Sequence, residues 1–253
     1  ALLGGVAAFL WQADTAPLAH NLAWFTVLLA GVWSLGAVLQ GRIGRGEVLL
    51  IVCAALSMAT ATVDATAAHR LFKPLTMLIA LAIVARAPAQ PGRAWLLAAL
   101  AASLVGDVCL MLDGLFIPGL VAFLLAHIAY TGRLRLDAPW LASRRALWAV
   151  AAVGLGVYAV LWTGGLPADL RAPVAVYVGA LGLMAAQAMG RATVRGDRAA
   201  WMVAGGAACF MVSDALLALN RFVTPLPASD LWVLGSYGAA QCLLVMGLLR
   251  GSR

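Results

Sequence analysis

Nine times along the chain, an apolar run of Leu, Ala and Val long enough to approach the width of a bilayer gives way to a short, more polar segment. This pattern decides the fold class. A run of ~20 apolar residues spans a membrane as a helix, and in lipid each segment must satisfy its own backbone hydrogen bonds. The runs lack the strict apolar–polar alternation of an outer-membrane barrel strand. Only 11% of the residues are charged, against roughly 25% for a soluble domain. The predicted fold is all-α: a polytopic integral membrane helical bundle, with eight core transmembrane helices within 47–249 and one or two extra N-terminal helices.

Spans are predicted at 22–39, 47–63, 73–86, 94–112, 116–133, 146–163, 172–190, 200–219 and 231–249. Residues 1–11, ALLGGVAAFLW, are apolar but short, without the basic flank of a signal peptide. They read as a tenth span, a trimmed span or an interfacial piece. The chain divides into an N-terminal part, 1–45, and a membrane domain, 46–253.

Charge placement tests the parse. Assigning alternate loops to alternate sides puts 13 of the 17 Lys and Arg on one side. The other four are Arg70, Lys73, Arg171 and Arg221. By the positive-inside rule the richer side, which includes the C-terminus, is cytoplasmic. The expected location is a bacterial inner (cytoplasmic) membrane. The net charge of +7 follows from these loops, so no nucleic-acid partner is expected.

Two spans carry an acid inside an apolar run. LVGDVCLMLDGLF holds Asp107, and CFMVSDALLALNRF holds Asp214. Both fit Asp-x-x-Leu-x-Leu-Asp/Asn. The motifs belong to a weak internal repeat, 47–131 against 146–249, whose second spans each open with a proline, Pro74 and Pro173, in the first turn. The matching third spans run in the same direction, so the repeat is parallel.

An ionisable residue at mid-helix costs at least ~2.5–3.5 kcal/mol, so it should face the bundle interior and have a partner. A single intramembrane Asp is explained by a structural hydrogen bond. Two with matched motifs at matched depth point to function. Asp107 is placed five residues before a helix end at 112, and Asp214 five before 219. Tyr177, Tyr237 and Lys73 fall near the same level, toward the outer surface, with His127 and Gln241 deeper. Two carboxylates in one low-dielectric pocket can divide the roles of acid and carboxylate, the arrangement used on acetal-like bonds. Lys73 either snorkels to the interface or meets a phosphate. Tyr177 and Tyr237 equally suit an interfacial belt.

Other chemistries find little support. His20 is read in a loop, His69 at the outer surface and His127 deep, so no metal site and no cofactor are expected. The four cysteines lie inside apolar runs without a C-x-x-C and read as packing residues. No G-x-S-x-G elbow occurs.

These residues resemble the YhhN family of membrane proteins, the lysoplasmalogenases. The resemblance rests on Lys73-Pro74-Leu75, Gly106-Asp107 and Phe123-x-x-x-His127-x-x-Tyr130. It continues with Pro173-Val174-x-x-Tyr177, Gly206-Ala207-x-x-Phe210-x-x-Ser213-Asp214 and Tyr237-x-x-x-Gln241. Order and spacing agree over residues 47–249. The resemblance implies hydrolysis of the vinyl ether bond of lysoplasmalogens to a fatty aldehyde and a glycerophospho-amine. It implies catalysis by Asp107 and Asp214, with Lys73, Tyr177, Tyr237, Gln241, His127 and Ser213 around the substrate. The expected partners are a lysophospholipid substrate and membrane lipids.

Two other readings remain open at this point. Parallel repeats and intramembrane acids also suit a proton-coupled transporter of small molecules or lipids. A hydrolase acting on a different lipid bond would want a metal or a serine nucleophile.

Overall fold

The computed structural model describes residues 16–41 and 43–251, so residues 1–11 lie outside the described residues. Among those described there are nine helices and no strand. They are α1 (Ala16–Leu39), α2 (Arg45–Thr62), α3 (Thr66–Arg86), α4 (Arg93–Leu110) and α5 (Phe116–Leu134), followed by α6 (Arg144–Gly164), α7 (Ala168–Arg195), α8 (Arg198–Phe222) and α9 (Ser229–Arg250). All nine are long and apolar enough to cross a membrane. The protein is an integral membrane helical bundle.

Seven helices close a ring. α2 packs on α3, α3 on α4, α4 on α5, α5 on α7, α7 on α8, α8 on α9, and α9 back on α2. Two helices lie outside: α1 against α2, and α6 against α7 with slight contact to α8. Burial follows the logic of lipid. Trp148, Val153 and Leu155 of α6 are exposed, while Lys73, Asp107, His127 and Gln241 are buried inside the ring. Polar groups face inward because lipid offers them no partner.

Small residues draw the ring tight. A Cβ on Gly206 of α8 would lie 3.0 Å from the carbonyl oxygen of Ala240 on α9. Only glycine permits that backbone approach, the usual role of small residues between membrane helices. The ends are fixed by polar contacts. Glu47 accepts the Gly44 N–H at 2.9 Å and pairs with Arg250 at 3.1 Å, tying the start of α2 to the end of α9. Asp197 caps α8 through the Ala200 N–H at 2.7 Å.

The helix ends depart from the apolar windows, which corrects three expectations. α3 begins at Thr66 and α7 at Ala168, so Pro74 and Pro173 sit inside their helices, beyond the first turn. His20 lies on α1 rather than in a loop. The acids are not equidistant from their helix ends: α4 stops three residues after Asp107, and α8 continues eight beyond Asp214. α4 stops two residues short of the expected 112; elsewhere the cause is that a helix does not need apolar residues to continue. Segments such as TAAHRLF and ADLRA extend it with polar side chains, so hydropathy marks lipid contact and not helix length.

Candidate functional site

Six of the seven ring helices send a polar or aromatic side chain to the interior, where two networks form. The first ends on Asp107 of α4, which is 1% exposed. Tyr237 Oη donates to Asp107 Oδ2 at 2.7 Å, and Lys73 Nζ lies 3.4 Å from Oδ1. Gln241 Nε2 donates to Tyr237 Oη at 3.2 Å, and Tyr130 Oη donates to Gln241 Oε1 at 2.7 Å. The donors run Tyr130, Gln241, Tyr237 in one direction, toward the carboxylate.

The second network ends on Asp214 of α8. Tyr177 Oη donates to Asp214 Oδ2 at 2.5 Å. His127 Nε2 lies 3.1 Å from Tyr177 Oη and 3.5 Å from Asp214 Oδ2. Since the phenol gives its proton to Asp214, its oxygen is left to accept, which assigns the proton of His127 to Nε2. The other ring nitrogen, Nδ1, is buried without a hydrogen-bond partner, consistent with an unprotonated nitrogen.

Aromatic rings stand between the networks. Phe210 packs edge-on against His127 at 4.8 Å and Tyr237 at 5.5 Å, and Phe123 meets Phe210 at 6.1 Å. Gly106, next to Asp107, makes this possible: a Cβ there would lie 2.6 Å from the Phe123 ring. Glycine lets the ring press against the helix that carries the acid.

Both carboxylates line one polar cavity of about 510 Å³. Lys73, Tyr237 and Ser213 line it too, and Arg70, Asp113, Arg221 and Asp230 stand at its mouth. Arg221 is held there by stacking on Phe116, 4.0 Å from the ring centre. A separate apolar groove of about 160 Å³ runs among α5, α6, α7 and α8, with Leu110 of α4 at its edge. Asp214, Leu217, Leu110, Phe116 and Phe123 border both, and Asp214 is the one charged residue among them. The combined space therefore changes from charged to apolar at Asp214.

Of the residues singled out in the sequence, Lys73, Asp107, Tyr237 and Gln241 meet in one network, and His127, Tyr177 and Asp214 in the other. Lys73 does not snorkel. It is 8% exposed and pairs with Asp107. Ser213 lines the cavity, but its hydroxyl donates to the Val233 carbonyl at 3.0 Å and ties α8 to α9. Sequence reasoning left Tyr130, Phe123 and Phe210 out of the site. The i, i+4, i+7 spacing of Phe123, His127 and Tyr130 could have placed those three on one helix face. Among the described residues, no three His, Cys, Asp or Glu side chains gather as metal ligands.

The family profile of YhhN matches residues 68–248. The chain belongs to the YhhN family. A Mycobacterium tuberculosis family relative named lysoplasmalogenase is 30% identical over 236 residues, covering 88% of this chain and 86% of that protein. Human lysoplasmalogenase TMEM86B is 34% identical over 152 residues, 60% of this chain and 62% of the human protein. Human lysoplasmalogenase TMEM86A is 33% identical over 163 residues, 62% of this chain and 66% of its own length. The match thus spans less than two thirds of either human relative. No solved structure matches the chain.

Proposed function

We propose that this chain is a membrane-embedded lysoplasmalogenase, which cleaves the vinyl ether bond of a lysoplasmalogen to a fatty aldehyde and a glycerophospho-amine. Its YhhN membership and the names of its relatives support a hydrolase of this class. The observation that carries the reading is the junction at Asp214, where a charged cavity meets an apolar groove. An amphiphile laid across it has its headgroup by Arg70 and Lys73, its tail between helices, and the bond joining them beside the two carboxylates.

The chemistry assigns the roles. In a vinyl ether, O–CH=CH–R, the carbon that takes the proton is the one on the tail side. Asp214 borders the groove and is the acid that protonates it. The electron pair of the double bond forms the new C–H bond, leaving an oxocarbenium ion at the carbon beside oxygen. Asp107, ion-paired with Lys73 in the polar cavity, stabilises that charge and takes a proton from the attacking water. The hemiacetal then collapses. Asp214, now a carboxylate, takes the hydroxyl proton, Asp107 gives the glycerol oxygen the proton it took from water, and the aldehyde is released with both carboxyls reset. Tyr177 and Tyr237 orient the two carboxylates by donating to them.

The 13-to-4 asymmetry of Lys and Arg supports a cytoplasmic C-terminus, with the cavity mouth toward the outer leaflet. We take 46–253 as the catalytic unit.

The test is aldehyde release from lysoplasmenyl-ethanolamine by the detergent-solubilised protein, with an ester lysophospholipid as control. The wild type is expected to release aldehyde. Asp107→Asn and Asp214→Asn are each expected to fold and to lose about 10²–10⁴-fold in rate. Full activity in both variants would overturn the carboxylate assignment, and no aldehyde from a folded wild type would overturn the reaction.

A further inference from the structure

The apolar groove does not end between α7 and α8. A second hollow of about 360 Å³ lies along the α6–α7 seam, reaching Leu147 and Val150 toward the cytoplasmic end of α6. The two hollows share three residues, Gly154, Val178 and Gly182. On α7 the groove uses Val174, Tyr177 and Leu181, whereas the second hollow uses Ala175, Gly179 and Leu183. At ~100° per residue these sets lie on adjacent faces of the helix, so the hollows flank the seam. What divides them is the line where α6 meets α7.

That line is thin because two of the three shared residues have no side chain. A Cβ on Gly182 would lie 3.6 Å from Val150, an ordinary contact, and one on Gly154 would lie 3.2 Å from Val178. Gly179, beside them, has nothing within 4 Å of where its Cβ would be. α6 itself lies outside the ring and is the least buried of the nine spans. Its neighbouring lipid face is Val153, Leu155 and Trp162, all exposed. The wall between the groove and the bilayer is therefore an outer helix with small residues along its seam with α7.

We propose that Gly154 and Gly182 frame a lateral portal between α6 and α7, through which the alkyl tail of a single-chain lipid passes between the bilayer and the groove that ends at Asp214. The occupant is a hydrocarbon tail because the lining is apolar on both sides of the seam and the groove borders the polar cavity at Asp214. The proposal rests on the lysoplasmalogenase reading for the identity of the headgroup, though not for the path of the tail. A tail long enough to cross the seam depends on the glycines. A tail short enough to end inside the groove does not.

Gly179→Leu is the test, because Gly179 lines the second hollow and not the groove, and nothing lies within 4 Å of where its Cβ would be. Two readouts separate this proposal from the reaction assignment. The first is kcat/KM for lysoplasmalogens with a long and a short alkenyl chain, wild type beside variant. The long-chain substrate is expected to lose about tenfold or more, mainly through KM, the scale of steric discrimination in an apolar pocket; the short-chain substrate should be unaffected. The second needs no turnover: a non-hydrolysable ether lysolipid with a photoreactive group at the tail end. It is expected to label α6 and α7 near Val150 and Val178 in the wild type, and to lose that labelling in Gly179→Leu. Labelling that ignores the substitution, or an equal loss for both chain lengths, would overturn the portal. If the lipid labels the seam but no aldehyde appears with any substrate, the portal stands and the reaction falls.

Discussion

Lys73 Nζ lies 3.4 Å from Asp107 Oδ1 inside the ring, where the lysine side chain is 10% exposed and the aspartate 1%. Removing one partner of such a pair leaves the other charge buried alone, at a cost of about 3–5 kcal/mol. Lys73→Met and Asp107→Asn are both expected to lower the thermal midpoint in detergent. The double variant Lys73→Met/Asp107→Asn leaves no unpaired charge and is expected to be more stable than Lys73→Met, while releasing no aldehyde. A double variant whose loss equals the sum of the two singles would show that the pair is not coupled.

The two tyrosines separate orientation from packing. Tyr177→Phe and Tyr237→Phe keep the aromatic rings that touch His127 and Phe210 and remove only the O–H donated to a carboxylate. A hydrogen bond to a charged group contributes about 1.5–3 kcal/mol. If that is felt in the transition state, kcat/KM falls about 10- to 100-fold, at ~1.4 kcal/mol per decade. Both variants are expected to lose stability as well, because Tyr237→Phe takes the acceptor from Gln241 Nε2 and Tyr177→Phe takes the acceptor from His127 Nε2. Unchanged kcat/KM in both variants would remove the phenols from the mechanism.

What the sequence showed follows from what lipid enforces. Every predicted span lies within or close to a helix, because an apolar run in a bilayer has one way to satisfy its backbone. The residues around Asp107 and Asp214 were legible because charge inside such a run has to find partners. The helix starts at Thr66 and Ala168 were not legible, since outside the hydrocarbon a polar segment can continue a helix or leave it. Nor was the seven-membered ring, because nothing in the sequence of α6 distinguishes it from a ring helix. Arg191 is the sharpest case. It was counted with the loop arginines, yet it is fully buried and held by Asp137, 54 positions away. Only the Arg133–Asp137 half of that cluster had a local signature, the i, i+4 spacing.

The cavity lining includes two cations, Arg70 and Arg221, and two anions, Asp113 and Asp230, a charge pattern that suits a zwitterionic phospho-amine headgroup. Arg70→Gln is expected to raise KM for lysoplasmenyl-ethanolamine several-fold while leaving kcat within about twofold, as for binding that is equal in ground and transition states. A fall in kcat with KM unchanged would place Arg70 in the chemistry instead.

Asp214 and His127 lie close enough to share a metal ion, at 3.5 Å, but no third ligand of the usual kind joins them among the described residues. Aldehyde release is expected to persist after dialysis against a strong chelator. Activity lost on chelation and restored by zinc would overturn the two-carboxylate mechanism.

At the other end of the bundle, Asp137 in the α5–α6 turn accepts from Arg191 Nε and Nη2, each at 2.7 Å, and lies 3.4 Å from Arg133 and 3.6 Å from Arg195. Burial alone would push the Asp137 carboxyl up, but the hydrogen bonds and charge of Arg191, then of Arg133, outweigh it and hold the group below the usual carboxylate range. A carboxyl held low in the folded state contributes stability that is complete above its unfolded value and is lost as pH falls through its folded value. The thermal midpoint in detergent is therefore expected to be flat from neutral pH to about 5 and to drop below about 4, near the unfolded carboxylate value. Asp197, held low by the Ala200 N–H, titrates in the same window, so the informative quantity is the difference between wild type and Asp137→Asn. At neutral pH the variant strands Arg191 and is expected to lose about 3–5 kcal/mol. That gap should narrow in acid, as protonation breaks the same contacts in the wild type. Parallel midpoint curves from pH 7 to 3 would show that Asp137 does not hold this end of the bundle together.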